Sequence, residues 1–200
     1  MRPRILFLPG AGGSPDFWRP VGERLPAAWP REYFGWPGLG DQPHDPAIRG
    51  FDDLVAMVAA RMADGPVDLV AQSMGGVIAS RLAIERPRSV RRLVLAVTSG
   101  GIDVAGLGAS DWREDYRASF PQAAAWITEV RAAAALPVEQ IAAPTLLIWG
   151  DSDAISPIAV GHHLAGRVPD SRLEIVPGGD HDLARVHADL VAGLVARHLG

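Results

Sequence analysis

The sequence contains no cysteine, and all 19 residues counted as lysine or arginine are arginine. Without a thiol there is no thiolate nucleophile, no disulfide framework and no cysteine-based metal site. Without a lysine amine there is no Schiff-base chemistry, no Ser–Lys dyad and no P-loop. Long apolar runs are missing too: none approaches the roughly 20 residues that span a bilayer. The run Ile5 to Leu8 stops at Pro9-Gly10, short of the roughly 7–15 residues of a signal-peptide core. The formal net charge is −4, with no block of one sign, whereas a nucleic-acid surface wants clustered basic residues. The expectation is a cytoplasmic globular protein with neither nucleic acid nor membrane as partner. A covalent nucleophile, if one is used, must be Ser, Thr, Asp, Glu, His or Tyr.

What is present has the pattern of an α/β protein. Two hundred residues, 48% hydrophobic and 21% charged, suit one domain over residues 1–200 with a sizeable core. Short, nearly continuous apolar runs recur at Ile5 to Leu8, Tyr33-Phe34, Val67 to Ala71, Leu93 to Val97, Thr145 to Trp149 and Leu173 to Val176. Such runs fit strands buried on both faces of a parallel sheet. Between them apolar residues step at helical spacing: Leu54, Val55, Val58 and Met62; Val77, Ile78, Leu82 and Ala83. A last helix is expected to carry Leu183, Val186, Leu190, Val191, Leu194 and Val195 on one stripe, with His187 as a packing residue. Strand alternating with helix predicts a doubly wound, mostly parallel sheet of about six strands with helices on both faces. Functional groups in such sheets gather in loops at the carboxyl ends of the strands.

Those loops hold a distinctive set. The first strand leads to Pro9-Gly10-Ala11-Gly12-Gly13-Ser14, and the third to Gln72-Ser73-Met74-Gly75-Gly76, which opens a helix. The fifth leads to Gly150-Asp151-Ser152-Asp153 and the sixth to Pro177-Gly178-Gly179-Asp180-His181. Ser, Asp and His thus follow separate strands in that chain order. From Arg4 to about Leu199, residues 100–140 excepted, the chain resembles the α/β-hydrolase superfamily, with its nucleophile elbow, acid loop and histidine loop.

The resemblance implies roles. Ser73 would be the nucleophile, on a turn whose neighbours two residues away must be small; here they are Ala71, where the family usually has Gly, and Gly75. His181 would be the base, reaching back over the flexible Gly178-Gly179. The family's Gly-x-x-Asp spacing selects Asp153 as the acid that orients the imidazole, leaving Asp151 as a turn residue and Asp103 as an alternative. The amides of Ala11 and Met74 would form the oxyanion hole. Trp36-Pro37-Gly38-Leu39-Gly40-Asp41 matches a family loop and is expected beside the pocket. No cofactor or metal is implied.

Residues 98–144 occupy the interval that in this family carries a cap, here a short one at about 100–140 with room for about two or three helices. Trp112, Tyr116 and Phe120 step by four and would share a helix face, and Trp126 and Val130 form a second apolar pair. Trp36, Trp112 and Trp126 are the candidates for lining a substrate pocket. The function expected is hydrolysis of a small-molecule carboxylic ester or thioester through an acyl-enzyme. Lipase, amidase, C–C hydrolase and haloperoxidase chemistries, or a non-catalytic small-molecule receptor, are the alternatives.

Overall fold

A computed structural model describes residues 2–104, 106–129 and 135–200. The elements run β1 (Arg4–Leu8), α1 (Arg19–Gly22), β2 (Arg31–Tyr33), α2 (Phe51–Arg61), β3 (Val67–Gln72), α3 (Met74–Glu85) and β4 (Val90–Ala96). They continue with α4 (Arg113–Ser119), α5 (Trp126–Glu129), a single 3-10 turn (Val138–Gln140), β5 (Thr145–Gly150), α6 (Ile158–Ala165), β6 (Ser171–Val176), α7 (Leu183–Val186) and α8 (Ala188–Leu199). The six strands form one sheet in the order β2-β1-β3-β4-β5-β6, every neighbouring pair parallel.

The apolar runs lie where the sheet needs them. Every residue of β3 and β5 is buried, as is β1 from Ile5 onward, because helices cover both faces. α3 packs across β1, β3 and β4 with α2 beside it; α8 packs on β4 and β5 with α1 and α7 against it; α6 covers β5 and β6. The all-parallel order sends every strand's carboxyl end to one edge, so the loops after β1, β3, β5 and β6 come together there. Between β4 and β5, α4 and α5 contribute to the wall of the cleft at that edge, while the 3-10 turn packs against α3.

Several boundaries differ from the sequence expectation. The second strand is Arg31–Tyr33, half-buried at the sheet's edge, and Phe34 lies beyond it with its N–H on the Phe7 carbonyl at 2.9 Å. β4 ends at Ala96, because Val97 turns to φ 41° at the start of the next loop. The last helix is two: His187 leaves helical geometry (φ −109°, ψ 36°) between α7 and α8. His187 is therefore a joint, not part of a continuous stripe. The break turns Val186 and Leu190 outward, 67% and 45% exposed, while Leu183, Val191, Leu194 and Val195 stay in the core. Val130 and Met1 lie outside the described residues.

Candidate active site

The Ser73 turn is strained in a way that sequence spacing alone cannot convey. Its φ is 51° and ψ −121°, a conformation unfavourable for any residue with a Cβ. The fold holds it at both ends. The Ser73 N–H donates to Ala96 O at 3.1 Å, and its carbonyl accepts from Gly76 N–H at 2.9 Å and from the Thr98 hydroxyl at 2.5 Å. Close approach explains the glycine at 75: a Cβ there would stand 2.4 Å from Pro9 O and 2.6 Å from Leu8 O. The elbow is thus pressed against the start of the loop that follows β1.

His181 meets Ser73 from the far side. The Ser73 hydroxyl donates to His181 Nε2 at 3.0 Å, and His181 Nδ1–H donates to Asp153 Oδ2 at 2.8 Å. A carboxylate can only accept here, which fixes the proton on Nδ1 and leaves Nε2 free to receive the serine proton. Asp153 is buried, and its second oxygen accepts from the N–H groups of Ile155 and Ser156 at 2.8 and 3.0 Å. Asp151 is exposed and does something else: its Oδ1 accepts from Gly178 N–H at 2.7 Å and from the Ser152 hydroxyl at 3.1 Å. Asp103 lies on the wall of the cleft in the loop after β4, while the imidazole bonds to Asp153. Gly178 adopts φ +69°, and Gly150 lies so close to Gly179 that a Cβ on it would stand 2.0 Å from the Gly179 carbonyl. The acid and histidine loops are therefore packed backbone to backbone, so the glycines serve fit more than flexibility.

The other histidines are elsewhere. His162 and His163 are exposed on α6; His44 is exposed, with Nε2–H on Gln122 O at 2.9 Å; His198 on α8 donates from Nε2 to Leu93 O and Pro144 O.

Ala11 and Met74 both line the cleft beside Ser73. Of the three candidate pocket tryptophans, Trp112 is on the cleft wall. Trp36 is completely buried, its indole N–H donating to Pro9 O at 2.9 Å. That carbonyl is enclosed by Gly75 and needs a donor, which draws the ring into the core and away from the cleft. Trp126 packs against the core, and the next residue along α5, Ile127, faces the cleft in its place. Three contributors escaped the sequence reading: Gln72, buried, whose Nε2–H donates to His181 O at 3.2 Å; Thr98 beneath the elbow; and the hydroxyl of Tyr116. Each acts across long sequence distances, and no local spacing marks it.

A parallel sheet bearing a strained serine, an imidazole and a buried carboxylate at successive strand ends defines an α/β-fold serine hydrolase. The family model described as "Alpha/beta hydrolase family" matches residues 5–194, and the chain belongs to that family. It is 28% identical to the pimeloyl-[acyl-carrier protein] methyl ester esterase of Neisseria meningitidis serogroup B (strain H44/76), covering 96% of this chain and 90% of that one. The aligned span of 237 positions exceeds the 200 residues present, so the relative carries segments with no counterpart here. Among solved structures, naproxen esterase from Bacillus subtilis superposes with a TM-score of 0.79 at 16% identity, over 100% of this chain and 84% of that one. A thermophilic esterase from Thermogutta terrifontis gives 0.73 at 20%, over 98% and 88%. At such identities the structural likeness establishes the fold. No helix among the described residues is long and apolar enough to cross a membrane.

Proposed function

We propose that the chain is one α/β-hydrolase domain that cleaves a small-molecule carboxylic ester or thioester through an acyl-enzyme on Ser73. The observation that carries this is the relay from Ser73 through His181 to Asp153, at 3.0 and 2.8 Å, built on a strained elbow. A serine hydroxyl is a poor nucleophile until a neighbouring base takes its proton. As Ser73 Oγ attacks the substrate carbonyl carbon, its proton passes to His181 Nε2. Asp153 stabilises the imidazolium and keeps the ring aligned. The carbonyl oxygen becomes an anion facing the N–H groups of Ala11 and Met74. Collapse expels the alcohol or thiol, which takes the proton from His181. Water then attacks the acyl-enzyme, again losing its proton to His181, and the acid and free Ser73 are released.

Residues 100–140 serve in this reading as the cap, with Trp112, Phe120 and Ile127 giving the cleft an apolar wall for the acyl or alcohol group. The ester-directed name of the Neisseria relative supports the bond type, and the reading extends to a diffusible substrate met in the cytoplasm. A fluorophosphonate probe tests it. Folded wild type is expected to label, Ser73→Ala not at all, and His181→Ala far more slowly. Absence of labelling on folded wild type would sink the proposal and restore the receptor alternative.

A further inference from the structure

Tyr116 takes no part in the proton relay, yet its hydroxyl reaches the part of the site that has no side-chain chemistry of its own. α4 sets the ring between Trp112 and Phe120, centroids 5.5 and 5.1 Å away, and buries it. The hydroxyl donates to the Ala11 carbonyl at 2.9 Å and accepts from the Gly40 N–H at 2.9 Å. It therefore joins the loop after β1 to the loop after β2. Those loops already interlock, since a Cβ on Gly40 would stand 2.0 Å from Gly12 O. Burial raises the pKa of the phenol, which keeps its proton available for donation.

The loop after β1 needs such a hold. Gly10, Gly12 and Gly13 give it a permissive backbone, and nothing lies within 4 Å of where a Cβ on Gly12 would be. Its carbonyls are fixed one after another, each by a different donor. Leu8 O accepts from the Trp18 indole at 2.9 Å, Pro9 O from the Trp36 indole at 2.9 Å and Gly10 O from Gly13 N–H at 3.0 Å. The last in the row, Ala11 O, accepts from Tyr116. An oxyanion hole works because its donors are oriented before charge develops, and a loop free to rotate its peptides forfeits that advantage.

We propose that Tyr116 is a positioning residue for the oxyanion hole: by holding the Ala11 carbonyl and tying it to Gly40, it fixes the Ala11–Gly12 peptide and with it the Ala11 Cα. Gly13 N–H holds the carbonyl of the preceding Gly10–Ala11 peptide, so that the N–H of that peptide, Ala11's own, stays presented to the anion formed at Ser73. This rests on Ala11 being an oxyanion donor, as argued above. It also makes the seating of α4, an element of the cap, a condition for full activity.

The test is Tyr116→Phe, which removes one oxygen and keeps the ring packing. Outright loss of an oxyanion donor lowers kcat by roughly 10²–10³-fold, so loosening one is expected to lower it by about 10- to 100-fold on a p-nitrophenyl ester, with little change in KM. Affinity for a trifluoromethyl ketone, whose adduct on Ser73 carries the same anion, should fall by a similar factor while the melting temperature stays close to wild type. A second readout needs no turnover: the ¹⁵N amide signals of Gly12 and Gly13 should show new exchange broadening, and those of Gly178 and Gly179 should not. Unchanged kcat and ketone affinity in Tyr116→Phe would overturn the inference, as would a slower variant with undiminished ketone affinity or with unaltered Gly12 and Gly13 signals. Failure of the underlying reading would look different: wild type itself would neither hydrolyse the ester nor label with the fluorophosphonate.

Discussion

Two buried carboxylates lie at opposite ends of the same parallel sheet, and the fold treats them differently. Asp153, at the carboxyl ends of the strands, faces the His181 imidazole and two backbone N–H groups. Asp68, near the amino end of β3, is fully buried against Arg91, which donates to both its oxygens at 2.9 and 2.6 Å. Register explains how Arg91 gets there: Val67 pairs with Val90 but Asp68 with Arg92, so Arg91 is the extra residue of a bulge that re-aims its side chain. The same guanidinium bonds the Leu199 carbonyl at 2.7 Å, and Arg2 bonds it too, at 2.8 Å. An arginine is always ionised, so the Asp68 pair is a fixed clamp on the Leu199 carbonyl, which Arg2 also holds. An imidazole can gain and lose a proton, so the Asp153 pair can work through a cycle. On the proposed function, charge serves cohesion at one edge and chemistry at the other.

That division is broken most directly at the reactive edge. Ser73→Ala should lower kcat by about 10⁶-fold with little change in stability, judged by esterase assay and thermal unfolding. Asp153→Asn should cost about 10⁴-fold, because an amide can no longer hold the useful tautomer. Asp151→Asn should cost only a few-fold. Equal effects at the two positions, measured as kcat/KM, would remove Asp153 from its role. Gly75→Ala comes next. Its new methyl would press on Pro9 O and Leu8 O, displacing the loop after β1. Activity should fall at least tenfold, with about 1–3 kcal/mol lost from stability by overpacking.

The reactive edge was also the more legible of the two from sequence. Ser73 and Asp153 follow apolar runs that form fully buried strands, His181 follows the half-buried edge strand β6, and a parallel sheet gathers such ends at one edge. Five of the six runs carried strong β signals, while Tyr33-Phe34 marked an edge strand too short and too half-buried to locate well. The joint at His187 was hidden because apolar spacing continues across it, although Val186 and Leu190 face outward. The supports were invisible for another reason. Thr98 under Ser73, Gln72 on His181, Trp36 on Pro9 and Tyr116 on Ala11 are hydrogen bonds between residues brought together only by the finished fold. The Asp68 clamp depends on a bulge that no composition reveals.

At the cohesive edge the expected effects are on stability alone. Burial is the main influence on Asp68 and raises its carboxyl pKa, outweighing Arg91, Arg2 and Arg92, which lower it. Such a pair holds position without adding much net stability. Asp68→Ala should therefore cost about 3 kcal/mol in denaturant unfolding, near the low end for breaking a buried pair because Arg91 is 30% exposed and can rehydrate. The double change Asp68→Leu with Arg91→Met should recover most of that loss. A double variant no better than the single one would show the ion pair to be a net stabiliser after all.

His198 gives the smallest effect and the most specific sign. It lies at the same edge, donating to Leu93 O at 3.1 Å and Pro144 O at 3.2 Å, where β4 and β5 begin their pairing. Burial first, and then Arg92, depress its pKa, with Arg172 adding a lesser push against the two carbonyl bonds. A folded-state pKa below the unfolded one means that the unfolded chain takes up the proton first. The stability linked to neutral His198 is thus present above the ordinary histidine value of about 6.5 and is lost as pH falls through it toward the folded-state value. Denaturant midpoints should decline between pH 7.5 and 5 in wild type and decline less in His198→Gln, which keeps an N–H donor but cannot titrate. The difference should appear equally in a Ser73→Ala background, because the group belongs to the cohesive edge and not to the reaction. A pH dependence unaltered by His198→Gln would place the acid sensitivity on another group.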